Sequence, residues 1–518
     1  MRPTGETGPS SSGSDARDPV PGHLSQPVRR ALHDTVRYVP SVVVPGLLGF
    51  ALVPVLTRLL TPGQYGAFAL ISAAVSGVGA ITNGWLTSSV LRMYPGAREQ
   101  GHARRFLLVV VWDGLLSVVV SGVLLTGITS VIRLSSSAQA RPVAVVAIII
   151  VATALLGDVS CSILRSRLRA SAYSLATTVR ALGKLAGCAL GAFLAGDRLL
   201  GALIGWAAGA AVTSLLPAFL AGERTRTESP PAGAASYRFL TVSRRLLSYG
   251  LPLAAGLVLQ IVLSDVDRFL LQLLAGTRQV GIYAAAYQLA SGSVGVAVSI
   301  PVMATLPLLM RMWDSRDGHE GASALMPRLL QQYVLITLPA AIVIAILARP
   351  LLVLVTSPAY APGAPTMVPV AVGILFQGVG QYTTAGLLLV RRTQGLLVLL
   401  LIAVVVNTGV NLVLIPALGM VGAGIATLAA YFVFAVGGQL ATRRILPFRW
   451  PGRDLIQVGV AAAVMGLDLL LVLRVIGHPV AALIVSVASG FVVYAAAVTL
   501  LGQLPWASGW SLHRMLSR

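Results

Sequence analysis

Between residues 38 and 502 the chain passes through about fourteen apolar stretches, most of them near the length of a bilayer-spanning helix and separated by short polar turns. In hydrocarbon every backbone N–H and C=O must find its partner within the protein, which leaves helices or a closed barrel. The stretches are too long for barrel strands and lack the ten-residue apolar/polar alternation of an outer-membrane barrel. With 56% hydrophobic residues, 11% charged residues and a mean hydropathy of +0.84, a soluble globule is excluded as well. The fold class is therefore an all-α, polytopic membrane protein.

The first six spans lie near 38–58, 66–91, 106–131, 142–163, 171–195 and 199–220. Eight more lie near 247–274, 280–310, 329–356, 366–390, 395–416, 421–442, 454–475 and 479–502. Residues 1–35, rich in Ser, Gly, Pro and Arg, read as a disordered tail. Arg29 and Arg30 resemble a twin-arginine pair only superficially, because the following apolar run is long and has no small-residue cleavage site. A polar linker at 221–245 separates an N-lobe, 36–220, from a C-lobe, 246–442, and the last two spans and a short tail occupy 443–518. Arginines concentrate in the loops on the side of the amino terminus, for example Arg104, Arg105, Arg165, Arg167, Arg391 and Arg392, by about four to one over the opposite loops. The positive-inside rule then puts both termini in the cytoplasm.

The net charge of +21 does not point to nucleic acid, because the arginines are dispersed among short loops rather than gathered on one face. Cys161 and Cys188 both fall within spans and suggest no disulfide framework. The six histidines, His23, His33, His102, His319, His478 and His513, lie in loops or tails without metal-ligand spacing, so neither a metal nor a cofactor is expected.

A faint repeat links the two halves. The turn between spans one and two reads TRLLTPGQYGAF and the turn between spans seven and eight reads DRFLLQLLAGTRQVGIYAAAY. Arg58 and Arg268 precede the matched triplets Gly66-Ala67-Phe68 and Gly281-Ile282-Tyr283, with about five extra residues in the second copy. An offset of six spans gives both copies one orientation, so two six-helix lobes are expected to be related by a pseudo-two-fold along the membrane normal, with two C-terminal helices outside the repeat. Arg58, Tyr65, Gly66, Gly281 and Tyr283 are its structural residues.

Charges within the apolar spans are the candidate functional groups, since ionisable side chains at that depth face a polar interior or a partner. Arg180 and Lys184 are four apart on one face of span five, and Lys184 is the only lysine in the chain. Two like charges there need an anion or a carboxylate between them, so they contact an anionic substrate, pair with a residue such as Asp158, or snorkel to water. Asp265 and Arg268, three apart on span seven, can pair, while Asp267 points elsewhere; either acid is a candidate coupling site. Asp113 and Asp468 have no partner identifiable from sequence. Gln260, Gln288, Gln377, Gln381, Asn407 and Asn411 offer amides either to glycan hydroxyls or to neighbouring helices. Pro45, Gly46, Pro252, Gly256, Pro301 and Pro307 permit kinks and close packing.

The phrases TRLLTPGQYGAFAL at Thr57 to Leu70, SYGLPL at Ser248 to Leu253 and DRFLLQLLAGTRQVGIYAAAY at Asp267 to Tyr287 resemble the polysaccharide-biosynthesis, Wzx-type oligosaccharide flippases of the MOP exporter superfamily. That group also contains the lipid II flippase MurJ and the MATE multidrug exporters. The resemblance implies movement of an undecaprenyl-pyrophosphate-linked oligosaccharide between leaflets by alternating access, for lipopolysaccharide or exopolysaccharide synthesis, without catalysis by this chain. It implies as partners the lipid-linked oligosaccharide, membrane lipid and the polysaccharide polymerase or glycosyltransferases of the same pathway. On that reading Arg180, Lys184, Arg268, Gln260, Gln288, Asn407 and Asn411 line a central cavity.

Lipid II transport differs only in headgroup. A cation-coupled drug exporter calls for an unpaired acid in the first lobe, and span one has none. A membrane glycan polymerase or ligase calls for acids or bases at a membrane face, often on a sizeable outer loop, and every expected outer loop is short. No glycine-rich phosphate loop with a lysine is present for ATP-driven transport. An envelope scaffold would have an interior without accessible charge.

Overall fold

The computed structural model describes residues 40–132, 137–222, 239–314 and 318–503. The tail expected at 1–35, most of the linker expected at 221–245 and the tail after Gln503 lie outside the described residues.

Among the described residues the chain is helical and has no strand. The first lobe comprises α1 (Pro40–Leu59), α2 (Pro62–Thr82), α3 (Gly84–Glu99), α4 (Ala103–Ile132), α5 (Ser137–Ser166), α6 (Ala170–Leu194) and α7 (Arg198–Ala221). The second comprises α8 (Phe239–Ala275), α9 (Thr277–Trp313), α10 (Gly318–Ile346), the short α11 (Ala348–Val355), a 3-10 turn (Pro358–Gly363), α12 (Ala364–Thr383), α13 (Ala385–Leu389), α14 (Thr393–Leu418) and α15 (Met420–Thr442). The final pair is α16 (Gly452–Val475) and α17 (Pro479–Leu500). Twelve of the described helical segments are long and apolar enough to cross a membrane. The other two expected spans, α6 and α9, also have the length, and α6 carries Arg180 and Lys184. The second span is divided, with α2 giving way to α3 at Asn83, and the tenth is divided between α12 and α13 at Thr384.

The helix pairings repeat with the expected six-span offset. In the first lobe α1 packs on α6, α5 on α7, and α6 on α7; in the second α8 packs on α14, α12 on α15, and α14 on α15. The last two helices pack on each other, with α16 also against α10 and α17 against α11.

The repeat motif makes a turn and then a crossing. Thr61 caps α2: its hydroxyl accepts from the Gln64 N–H at 3.3 Å, and the Gln64 side chain accepts from the Thr61 N–H at 3.1 Å, with Pro62 at the first helical position. One turn on, Gly66 and Gly281 occupy equivalent places in α2 and α9 and touch across the lobe boundary. A Cβ on Gly66 would lie 2.1 Å from the Thr277 carbonyl oxygen, and one on Gly281 would lie 1.8 Å from that of Pro62. Only glycine lets the two backbones approach so closely. The extra residues of the second copy extend a helix: α8 runs to Ala275, well past Arg268, whereas α1 ends at Leu59, directly after Arg58. Arg58 thus sits at a helix end, where its Nη2 donates to the Leu354 carbonyl at 3.0 Å, while Arg268 is left deep in the bundle.

The lobes also meet nearer the arginine-rich end. Ser89 Oγ donates to the Leu246 carbonyl at 2.7 Å, Ser243 Oγ donates to Asp113 Oδ1 at 3.0 Å, and Gly250 lies against the Trp85 carbonyl. Ser243, Leu246 and Gly250 fall on one face of α8, so its first half docks onto α3 and α4.

Candidate substrate cavities

A second glycine seam fixes α6, the helix that carries Arg180 and Lys184. Gly183, Gly187 and Gly191 of α6 face Gly209, Gly205 and Gly201 of α7, and a Cβ on any of the last five would come within 2.2 Å of a backbone oxygen of the facing glycine. The small-residue spacing of four lets the helices touch backbone to backbone, as at membrane helix interfaces. That spacing is legible in the sequence, although the charge pattern does not lead to it.

Arg180 lies against α5. Its Nη1 is 2.8 Å from Asp158 Oδ1 and its Nη2 donates to the Ala154 carbonyl at 3.3 Å. Gly157 makes the room, since a Cβ there would sit 2.6 Å from the guanidinium carbon. Of the sequence alternatives for Arg180, pairing with Asp158 is the one observed, and it neutralises part of the cationic face. Lys184, one turn on, has no ion pair among the described residues. Its Nζ lies 3.9 Å from the centroid of the Trp206 ring on α7, a cation–π contact that no feature of the sequence marks.

Most of the residues expected to line a central cavity are spread over three described cavities. The largest, about 630 Å³, is lined by Asn83, Asp158, Arg165, Arg180, Lys184 and Trp206 of the first lobe, with Leu257 and Ile261 of α8. The second, about 270 Å³, lies where α1, α2 and α6 meet α8 and α9, and Tyr65, Ser72, Lys184, Arg268 and Gln288 are among its lining residues. Lys184 lines both. The third, about 360 Å³, is in the second lobe and includes Gln260, Gln377, Gln381, Tyr382 and Tyr431. α8 contributes to all three, with Leu257 and Ile261 in the first, Arg268 in the second, and Gln260 and Leu263 in the third.

Arg268 pairs with Asp265 at 2.9 Å, the i,i+3 contact that the spacing predicts. Its guanidinium carbon lies 5.8 Å from the Tyr287 ring centroid, and its Nε is buried without a hydrogen-bond partner. Asp267 faces the other way and is fully buried. It accepts from the Tyr283 hydroxyl and, at 3.2 Å, from Thr427 Oγ1, so it ties α8 to α9 and α15. Tyr283 is therefore more than a motif residue.

Asn407 and Asn411 line none of the three cavities. They belong to the buried stripe of α14, which also includes Leu400, Ala403 and Ile415, and Asn411 Nδ2 donates to the Asn407 carbonyl at 2.9 Å and to its Oδ1 at 3.0 Å. Amide pairing along the helix takes the place of the cavity contact expected of them, because their face of α14 is covered by α8 and α15. The remaining expected residues divide between cavities: Arg180 in the first, Lys184 in the first and second, Arg268 and Gln288 in the second, and Gln260 in the third.

The same two-lobed arrangement of helices is found in solved structures of membrane proteins. Over 90% of this chain and 99% of the other, the fold superimposes on that of a lipid II flippase, MurJ, in an inward closed conformation, with a TM-score of 0.74 and 13% identity. An inward-facing multidrug resistance MATE family transporter of the MOP superfamily matches over 78% of this chain and 94% of its own, with a TM-score of 0.62 and 17% identity. A MOP superfamily transporter from Pyrococcus furiosus, described as having a binding pocket of reverse polarity that suggests a different function, matches over 79% and 95% with a TM-score of 0.53 and 18% identity. No curated protein sequence matches the chain. The model of the family described as polysaccharide biosynthesis protein matches residues 32–313. The chain belongs to that family and is a multi-pass membrane protein with the fold of the MurJ and MATE transporters.

Proposed function

We propose that this chain is a flippase that carries an undecaprenyl-pyrophosphate-linked oligosaccharide across the cytoplasmic membrane of a bacterium, with both termini in the cytoplasm. The observation that carries the reading is Lys184. It is an ammonium without a carboxylate partner, held on the Trp206 ring, and it lines the inter-lobe cavity together with Arg268. An unneutralised cation inside a membrane bundle invites an anion, and a pyrophosphate supplies the charge-assisted hydrogen bonds that the Lys184 ammonium and the Arg268 Nε lack. Arg180, already paired with Asp158, contributes a second, weaker cation to the adjoining space.

Transport on this reading is alternating access between the lobes at 36–220 and 246–442. Contacts at the Gly66–Gly281 crossing and at the Ser89–Leu246 seam must open in turn. The polyprenyl tail stays in lipid while the headgroup crosses inside the bundle. The glycosyltransferases that build the glycan and the polymerase that extends it are the natural partners. A cationic drug is disfavoured as cargo, because the unpaired Lys184 would repel it.

The test is leaflet exchange of a fluorescent undecaprenyl-pyrophosphate oligosaccharide in proteoliposomes. The wild type should exchange it, and Lys184→Ala should lower the rate at least tenfold with normal insertion and expression. Wild-type vesicles that exchange none, beside an active lipid II flippase control, would overturn the proposal.

A further inference from the structure

The 360 Å³ cavity of the second lobe differs in kind from the other two. No charged side chain lines it. Its polar groups are the amides of Gln260, Gln377 and Gln381, the hydroxyls of Thr305 and Thr384, and the phenols of Tyr382 and Tyr431. Several are already committed: Gln377 Nε2 donates to Tyr431 Oη at 3.1 Å, Thr305 Oγ1 donates to Tyr382 Oη at 3.0 Å, and Thr384 Oγ1 donates to the Gly380 carbonyl at 2.8 Å. The side chains of Gln260 and Gln381 have no hydrogen-bond partner among the described residues, and both line the space. Leu263, Leu388, Leu396, Leu400 and Phe434 supply apolar walls.

Much of the cavity's lining lies near the arginine-rich loops in the chain. Its lining comes from late α9, from the end of α12 with α13, and from the start of α14, all next to Arg311, Arg391 and Arg392 in the chain. A small ligand pocket is mostly apolar with a few polar groups that fix orientation, in a volume of about 300–1,000 Å³. This one is at the small end of that range.

We propose that this cavity is a binding site for an uncharged sugar of the cargo glycan, separate from the cationic site at Lys184 and Arg268. Two free amides, each with donors and an acceptor, match the vicinal hydroxyls of a pyranose, and the tyrosine and phenylalanine rings match its C–H face. A uronic acid or other carboxylated sugar is rejected, because its charge would be buried with no cation to pair it. The inference rests on the flippase reading for the word cargo. The recognition of a neutral sugar stands on the cavity alone.

The experiment is saturation-transfer NMR on the full chain in lipid nanodiscs with glucose, galactose, N-acetylglucosamine and glucuronate as probes. At least one neutral sugar should receive saturation, glucuronate should not, and the Gln260→Leu, Gln381→Leu double variant should lose the signal at least fivefold. Leu388→Trp fills the space without removing a polar group and should abolish the signal in a protein whose thermal melt is unchanged. Silence from all three neutral sugars, an equal signal from glucuronate, or a signal that survives both variants would overturn the assignment. Sugar binding without leaflet exchange would sink the flippase reading and leave the cavity assignment intact, while exchange without sugar binding would do the reverse.

Discussion

Replacing Gly281 with alanine puts one methyl group where the lobes cross. The added Cβ would lie 1.8 Å from the Pro62 carbonyl oxygen and 2.9 Å from the Gly66 nitrogen. Both obstacles are backbone atoms at the start of α2, so no rotamer change relieves the clash. The helices must separate by about 1.5 Å to restore van der Waals contact, which is overpacking with a cost of about 1–3 kcal/mol. Gly66→Ala meets the Thr277 carbonyl oxygen at 2.1 Å and should cost a similar amount. Since the two substitutions strain one contact, the double variant should lose less than the sum of the singles. Gly63→Ala is the control one turn earlier, with nothing within 4 Å of its new methyl. Thermal unfolding of the four variants in detergent, followed by intrinsic tryptophan fluorescence, reads the effect. Gly281→Ala that melts with Gly63→Ala and wild type would refute the crossing, and strict additivity would refute the shared contact.

Two further outcomes follow from the buried polar groups. Tyr283→Phe removes a donor to Asp267 and leaves Thr427 as its remaining side-chain donor, so it should destabilise the chain by about 1–3 kcal/mol in the same melt, and an unchanged melt would dismiss the tie between α8, α9 and α15. Asp158→Asn should cost only about 1 kcal/mol, because the Asp158 and Arg180 side chains are 43% and 22% exposed, and a loss several times larger would mean that the pair is shielded from water.

What could be read in the sequence followed the range of the interaction. Asp265 and Arg268 pair through helix geometry alone, so three residues of spacing sufficed. Gly66 and Gly281 were visible as a repeat because the turn chemistry around them recurs, but only the packed lobes bring them against each other's backbones. The partners of Asp267 lie 16 and 160 residues away, and nothing local to it names Tyr283 or Thr427. Asn407 and Asn411 cannot be assigned from sequence, because an amide within a span looks the same whether it faces a cavity or its own helix neighbour. Trp206 was silent for a related reason: an aromatic residue in an apolar span has no signature until Lys184 is laid over it. The distribution of the expected residues over three cavities depends on how the helices assemble, a property of the packed lobes rather than of any segment.

The solitary lysine also gives the molecule a built-in spectroscopic reporter. With one ε-amine in the whole chain, reductive methylation with labelled formaldehyde places a single side-chain isotopic probe, set apart in chemical shift from the amino terminus. Ring current from the indole beneath it makes that resonance sensitive to sub-ångström movement of α6 against α7. Occupancy of the spaces on either side of Lys184 could thus be followed in a membrane, without adding a residue to the protein.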